Sequence, residues 1–265
     1  MKEVAFLYDF DLTLSPMNMQ EFSLISDLGL TVAEFWSYIR KFESTHEIDL
    51  ILSYLFCQKE LYETKFNKPL TKEILNSYGK DIKFYPGVKT WFMRMNAYAA
   101  EKGVKLKHYI ISSGMKEIID GTCIADEFEK VFASTYIYNE NGNIMWPGLN
   151  VNYTNKTQFV YRINKGTLDI RDNITVNSYI PHNKRVVPFQ NIAYFGDGES
   201  DVPCMKVVKQ RGGYAVGVYA ETEKSKNLAN DLIMQNRVTC AAKADYSKDS
   251  KLESIAKYII DKAVD

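Results

Sequence analysis

The sequence predicts an α/β protein in which a doubly wound, parallel sheet carries a helical cap domain inserted after the first strand. Two observations predict this class. Short apolar runs alternate along the chain with helical patterns, and one stretch from about residue 17 to residue 81 is helical throughout. Because ligands of such sheets bind beyond the carboxyl ends of the strands, the residues that follow each run form the candidate site.

Four apolar runs have the length and composition of buried strands. Three of the four end in polar clusters, as strands that open into a site would. Asn141-Gly142, between strand-like flanks, predicts a β-hairpin within residues 136–155. The four runs are Val4–Tyr8, His108–Ile111, Ile192–Phe195 and Tyr214–Val218, and Val131–Ser134 is a weaker candidate.

Capping signals mark the helices. Thr31 with Glu34 predicts the start of a cap helix, and Ser250 with Glu253 predicts the start of a C-terminal helix. The turn signal Tyr-Pro-Gly at residues 85–87 marks the return from the cap to the sheet. It also begins the helix predicted for the residues that follow.

Size and charge restrict the class of protein. The 265 residues are 46% hydrophobic, enough to bury one large core and a small accessory domain. Lys and Arg together number 33, as do Asp and Glu, so the formal net charge is zero. No run of five like charges occurs. We therefore expect no nucleic-acid partner and no membrane partner.

The cysteines and the N-terminus indicate the compartment. The four cysteines lie far apart and form no CxxC pair, which predicts reduced thiols rather than a zinc site or a disulfide framework. The apolar stretch that precedes Asp9 is too short for a signal peptide or a membrane span. We therefore expect a cytoplasmic protein.

Acidic residues follow two of the predicted strands. The motif DFDLT supplies Asp9 and Asp11, and the motif GDGESD at residues 196–201 supplies Asp197 and Asp201. Four carboxylates at one edge of a buried sheet would repel one another unless a cation neutralised them. Since all candidate ligands are hard oxygens, Mg²⁺ fits better than zinc.

A third polar cluster, Ser112-Ser113-Gly114, follows the second run and is expected to open the next helix. A hydroxyl and free backbone N–H groups at that position can bind an anion. The simpler interpretation of Ser112 taken alone is an ordinary helix N-cap.

These motifs, in this order, resemble the haloacid dehalogenase superfamily, and within it the phosphatases with a cap like that of phosphoserine phosphatase. The resemblance covers DFDLT near the N-terminus, IISSG in mid-chain, a lysine before the last strand, and GDGESD. It implies a Rossmann-like catalytic core formed by residues 1–15 and 86–265, and a helical cap formed by residues 16–85.

The resemblance also implies roles for the site residues. Asp9 would attack phosphorus, while its other oxygen, the backbone carbonyl of Asp11 and Asp197 would hold Mg²⁺. Asp11 would act as the general acid and base. Ser112 and a lysine would hold the phosphoryl oxygens, and Asp201 would position that lysine or a metal-bound water.

Two lysines compete for the phosphate-binding role. Lys156 lies where a helix should begin, so that its side chain can point into the site, whereas Lys165 would lie near the far end of that helix. We favour Lys156. Residues 167–189 lengthen the gap before GDGESD beyond that of compact phosphoserine phosphatases.

The expected function is Mg²⁺-dependent hydrolysis of a small phosphorylated metabolite through an aspartyl phosphate on Asp9. Two alternatives stay open, namely phosphoryl transfer to an alcohol acceptor and a catalytically idle binding module on the same fold. Asp11 favours turnover by water, because the related ATPases that keep the acyl phosphate have Thr there. An idle module would be expected to have lost one of the acids or Ser112.

The substrate is the least specified feature. Phosphoserine phosphatases carry a glutamate shortly after the first motif, which holds the substrate's amino group. The matching position here is Asn18, with Glu21 nearby, so phosphoserine itself is not implied. Arg40, Lys41 and Met17 are possible substrate contacts, although solvated charges and a core methionine are the simpler interpretations.

Overall fold

The computed structural model describes residues 2–198 and 200–264. Within them, seven strands form one sheet in the order β4-β3-β2-β1-β5-β6-β7. All neighbours are parallel except β3 and β4, which form an antiparallel pair. The strands are β1 (Lys2–Tyr8), β2 (Val104–Met115), β3 (Lys130–Tyr138), β4 (Ile144–Leu149), β5 (Ile192–Gly196), β6 (Tyr214–Tyr219) and β7 (Cys240–Lys243).

Helices cover both faces of the sheet, and four of them form the cap. The cap helices are α1 (Leu24–Asp27), α2 (Val32–His46), α3 (Leu50–Phe66) and α4 (Lys72–Tyr78). The core helices are α5 (Val88–Glu101), α6 (Lys116–Asp120), α7 (Lys156–Lys165), α8 (Asn173–Asn177), α9 (Val202–Gln210), α10 (Glu223–Met234) and α11 (Lys251–Val264). The predicted fold class, an α/β sheet with a helical cap after the first strand, is confirmed.

The central strand β1 has two buried faces. Phe6 and Tyr8 belong to the core formed with α5 and α11, whereas Ala5 and Leu7 point to the opposite face, against α7 and α9. Because β1 lies between β2 and β5, it has strand neighbours on both sides. The residue that follows Tyr8 therefore emerges from the centre of the molecule.

The second strand ends later than predicted, and the prediction of a helix start at Ser112 was wrong. Ser112, Ser113 and Gly114 do not open a helix, because β2 continues to Met115 and α6 begins at Lys116. The pairing of β2 with β3 shifts register over this stretch. The Ser112 hydroxyl accepts the N–H of Gly114 at 3.0 Å within the strand end, so Ser112 is not a helix N-cap.

Of the two predicted capping boxes, the one at α2 has both of its hydrogen bonds and the one at α11 has only one. In α2 both reciprocal bonds between Thr31 and Glu34 are present. At α11 the N–H of Glu253 bonds to the Ser250 hydroxyl at 3.1 Å, but the Glu253 carboxylate accepts from the N–H of Asp249 at 2.7 Å. The second box is therefore only half formed.

The predicted hairpin is present as β3 and β4. It begins before residue 136, and the earlier part of β3 pairs with β2. Its turn contacts the cap through a bond from the Lys72 N–H to the Gly142 carbonyl at 3.2 Å. The ends of the cap segment meet where the Tyr85 N–H donates to the Leu14 carbonyl at 3.0 Å. The exact domain limits at residues 16 and 85 stay a prediction.

No helix in the two described stretches combines the length and the apolar composition needed to cross a membrane. The cytoplasmic location stays a prediction.

Candidate active site

A cavity of about 530 Å³ lies between the cap and the carboxyl ends of the central strands. Residues from distant parts of the sequence line it. Its lining on the sheet side includes Asp9, Asp11, Ser112, Lys156, Asp197 and Ser200, and on the cap side Asn18, Gln20, Glu21, Trp36, Arg40 and Tyr54.

Asp9 is held at the end of the central strand. Its N–H donates to the Phe195 carbonyl of β5 at 2.9 Å, and its side chain is only slightly accessible, with 5% of the residue exposed. The chain then turns tightly, because Leu12 adopts a left-handed φ of 58°. This turn brings Asp11 to the base of the cap, where its Oδ1 accepts the N–H of Met19 at 2.8 Å.

Lys156 is the first residue of α7 and is fully buried. Its ammonium group donates to Asp9 at 3.1 Å, to Ser200 at 2.9 Å and to Asp201 at 2.8 Å. Lys165, at the other end of α7, donates instead to the carbonyls of Val176 and Ser178 at 2.6 and 2.8 Å. The structure therefore brings Lys156, and not Lys165, to Asp9.

Burial and the neighbouring charges change the acid strengths of these groups. Burial is the larger cause and the charge of Asp201 the smaller cause that together raise the pKa of Asp9 to about 7, although Lys156 opposes the shift. Burial and the charge of Asp9 raise the pKa of Asp11 well above its usual range. Burial alone would lower the pKa of Lys156, but Asp201 and Asp9 together raise it well above normal. The lysine thus stays charged.

Three carboxylates lie close enough together to hold a cation. Oxygen atoms of Asp9, Asp197 and Asp201 all lie within 4.8 Å of one another. Oδ1 of Asp201 accepts from Lys156 and from the Tyr194 hydroxyl, the latter at 2.7 Å. Its Oδ2 is buried and has no hydrogen-bond partner among the described residues. An oxygen-only set with one unsatisfied buried acceptor fits Mg²⁺.

A glycine makes this arrangement possible. A Cβ atom at Gly196 would lie 2.3 Å from Oδ2 of Asp201, so any side chain there would displace the carboxylate. The carboxylate of Asp11 is not in the three-acid group, and the backbone carbonyl of Asp11 stays the predicted ligand. Glu199, within the GDGESD motif, lies outside the described residues.

Ser112 lies at the end of β2 and lines the same cavity. Close packing surrounds it, because a Cβ atom at Gly114 would lie 2.2 Å from the terminal methyl of Met19 and 3.2 Å from Oδ2 of Asp11. The five residues predicted to be catalytic, and Asp197, are thus brought together at one edge of the sheet.

The cap wall carries a carboxylate. Glu21 Oε1 accepts from the side-chain amide of Asn18 at 2.7 Å and from the indole of Trp36 at 3.3 Å. Arg40 also lines the cavity, but its guanidinium pairs with Glu43 at 3.0 Å and its side chain is 62% exposed. The other two possible contacts, at positions 17 and 41, are not among the described residues that line the cavity.

Tyr194, Gln20 and Tyr54 belong to the site but were not predicted from the sequence. Tyr194 belongs to the apolar run of β5 and donates to Asp201, and a tyrosine hydroxyl in a buried strand needs a partner. Gln20 donates to the Tyr54 hydroxyl at 2.7 Å across the cap wall. The second contact joins residues of two cap elements, and no local pattern predicts it.

Comparisons with other proteins agree with this architecture. No protein-family model matches the chain. An uncharacterized protein of Borreliella burgdorferi is 28% identical over 275 residues, which cover 94% of this chain and 93% of that protein. A HAD family hydrolase from Salmonella enterica serovar Typhi is 17% identical, with a TM-score of 0.57, over 89% of this chain and 66% of that one.

A phosphoserine phosphatase, solved as a phospho-aspartyl intermediate analogue, is 15% identical, with a TM-score of 0.57, over 97% of this chain and 99% of that one. The similarity thus includes the cap as well as the sheet. The chain has the fold of the haloacid dehalogenase superfamily, in the arrangement of phosphoserine phosphatase. The predicted resemblance in fold is confirmed.

Proposed function

We propose that the protein is a Mg²⁺-dependent phosphatase that hydrolyses small phosphomonoesters through an aspartyl phosphate on Asp9. One observation carries the proposal: Asp9 ends the central strand inside a cavity, hydrogen-bonded to Lys156 and within reach of two further acids. Phosphatases among the proteins of similar fold support the same activity.

The first step transfers the phosphoryl group to the enzyme. A carboxylate oxygen of Asp9 attacks phosphorus, the ester P–O bond breaks, and the alcohol leaves with a proton from Asp11. Oδ1 of Asp11 is occupied by the Met19 N–H, so Oδ2 would carry that proton. Lys156 and Ser112 would hold the phosphoryl oxygens. Mg²⁺, held by Asp9, the Asp11 carbonyl and Asp197, would neutralise charge on the phosphoryl group.

The second step returns the enzyme to its starting state. Water attacks phosphorus and loses its proton to Asp11, and the bond between phosphorus and the Asp9 oxygen breaks to release phosphate. Asp201 would keep Lys156 in place throughout, because its Oδ1 accepts from the ammonium group and from the Tyr194 hydroxyl. Asp9 is thereby regenerated as a carboxylate.

The cap wall favours a substrate whose alcohol carries no second acidic group. Glu21 places a negative charge there, and the guanidinium of Arg40 is turned to Glu43. Among the described residues on the cap side of the cavity, Arg40 is the one cation and it pairs with Glu43, so a substrate carboxylate would face the charge of Glu21. We therefore propose that the substrate is a small phosphorylated metabolite with a neutral or cationic alcohol. We also propose that the enzyme is cytoplasmic and has no nucleic-acid or membrane partner.

Hydrolysis of p-nitrophenyl phosphate tests the proposal. We expect phosphate release with Mg²⁺, loss of release when a chelator removes the metal, and loss in Asp9→Asn. Asp126→Asn is the matched control, since Asp126 is exposed and outside the cavity. Equal activity of the wild type and Asp9→Asn would overturn the proposed function.

A further inference from the structure

Asp49, in the cap, forms hydrogen bonds with the segment that immediately precedes Lys156 in the sequence. We call this segment, residues 150–155, the presenting loop. Oδ2 of Asp49 accepts from the side-chain amide of Asn152 at 2.9 Å. Oδ1 of Asp49 accepts from the side-chain amide of Asn150 at 3.0 Å. The two contacts join parts of the chain that are about a hundred residues apart.

Asn152 shapes the first turn that carries Lys156. Its side-chain oxygen accepts the N–H groups of Thr154 and Asn155, each at 3.1 Å, and its carbonyl accepts the N–H of Lys156 at 3.1 Å. One end of the Asn152 amide is therefore bound to the cap, and the other end fixes the presenting loop. A shift of Asp49 would be transmitted to the start of α7.

Asp49 also begins the cap helix α3. Its Oδ1 accepts the N–H groups of Ile51 and Leu52 at 2.9 and 3.1 Å, as an N-cap does. Leu50 and Ile51, in the first turn of that helix, line the cavity. A single carboxylate thus holds a wall of the cavity and the loop that presents the lysine.

Lys156 has little freedom to compensate for a displaced backbone. Its side chain is fully buried, and its ammonium group already makes three hydrogen bonds, to Asp9, Ser200 and Asp201. Accurate placement of such a group matters, because displacement by about 1 Å at a reacting centre can cost about a hundredfold in rate.

We propose that Asp49 is a positioning residue, which acts through Asn152 to hold Lys156 against Asp9. This inference rests on the proposed phosphatase activity. It assigns a function to a cap contact that lies outside the motifs and makes the cap part of the support for the catalytic lysine.

An exchange of the two side chains tests the bond itself. Asp49→Asn keeps the helix cap but turns an amide N–H toward the amide N–H of Asn152. Asn152→Asp instead sets two carboxylates against each other. In the double variant, Asn at position 49 donates to Asp at position 152, whose second oxygen still accepts from Thr154 and Asn155. The hydrogen bond between positions 49 and 152 is thereby retained with its direction reversed, and the other hydrogen bonds of both side chains keep their direction.

We expect each single variant to lower kcat by about tenfold with KM changed less than about twofold, and the double variant to recover to within about threefold of wild type. Asp172→Asn is the matched control, because Asp172 also caps a helix, α8, through its Oδ1 and is not among the described residues that line the cavity. That variant should keep wild-type kcat and KM.

Three results would overturn the inference: unchanged kcat in both single variants, losses that simply multiply in the double variant, or a rise in KM alone. The last would mean that Asp49 shapes only the cavity wall. Failure of the proposed function would be a separate outcome. In that case Asp9→Asn would hydrolyse the substrate as well as wild type does. Thermal unfolding of wild type and of the four variants shows that each is folded at the assay temperature.

Discussion

The ammonium nitrogen of Lys156 lies 3.1 Å from Oδ1 of Asp9, although 147 positions separate the two residues in the sequence. The same nitrogen contacts Asp201, which is bonded to the Tyr194 hydroxyl. A buried cation between two carboxylates offsets part of their mutual repulsion. The arrangement holds the proposed nucleophile in one place and supplies positive charge where phosphoryl oxygens would bind.

Replacing Lys156 with Met should abolish most of the activity. The change removes the charge that would stabilise the phosphoryl oxygens, so we expect kcat to fall by about a hundredfold or more. It also leaves two buried carboxylates without their cation, so the free energy of unfolding should fall. Steady-state kinetics and urea unfolding measure both effects. Lys165→Met is the matched control, and a similar loss of kcat in that variant would contradict the assignment.

Mg²⁺ should stabilise the folded protein through the acidic group. An ion that binds only the folded state adds about 2.7 kcal/mol at a hundred times its dissociation constant. We expect the melting temperature to rise with added Mg²⁺ in wild type and Asp126→Asn, and to rise much less in Asp197→Asn, because Asp197 belongs to the three-acid group. An equal rise in all three proteins would show that the ion binds elsewhere.

His108 should make stability depend on pH. Its ring lies between the Tyr8 hydroxyl at 3.0 Å and the Asn96 side chain at 3.1 Å, and burial lowers its pKa to about 3. In the unfolded chain the pKa would be about 6.5. Between these values the unfolded state binds more protons, so the free energy of unfolding should fall as pH decreases, by up to about 1.4 kcal/mol per pH unit.

Urea unfolding between about pH 4.5 and about pH 7.5 measures this slope around the unfolded pKa. His108→Gln should reduce the slope, since it removes the group whose pKa differs between the two states. His182→Gln is the control because His182 is exposed, and its slope should equal that of wild type. A slope that does not change in His108→Gln would mean that other groups cause the acid sensitivity.

Substrate preference should reflect the charge on the cap wall. Phosphoethanolamine and phosphoserine differ only in the carboxylate, which would face Glu21, whereas Arg40 is paired with Glu43. We expect kcat/KM to be at least about tenfold higher for phosphoethanolamine. Glu21→Gln should narrow this ratio, because it removes the like charge. A preference of wild type for phosphoserine would contradict this account of the cap wall.

Much of the sheet and of the site can be predicted from local patterns. Val4–Tyr8 is apolar throughout because both faces of β1 are buried, and Asp9 ends the run where the chain meets the cavity. Lys156 was preferred because it begins a helix, and that position lets its side chain reach the acids at the sheet edge.

Other features depend on contacts that no local pattern contains. The strand β7 has only four residues and no long apolar run, so it was not predicted. The first residues of β2 include charged side chains, so the predicted strand began too late. In the folded protein Lys107 forms ion pairs with Glu3 of β1 and with Glu129, just before β3. No local pattern indicates a role for Asp49, since its hydrogen bond with Asn152 joins positions 103 residues apart.

The most direct test of the proposed activity is to detect phosphate on Asp9 during turnover. Wild-type protein mixed with Mg²⁺ and p-nitrophenyl phosphate would be quenched in acid and digested, and its peptides examined by mass spectrometry. The account predicts one added phosphoryl group, on the peptide that contains Asp9, and none in Asp9→Asn. Hydrolysis with no phosphorylated Asp9 peptide, or with the phosphoryl group on another residue, would contradict it.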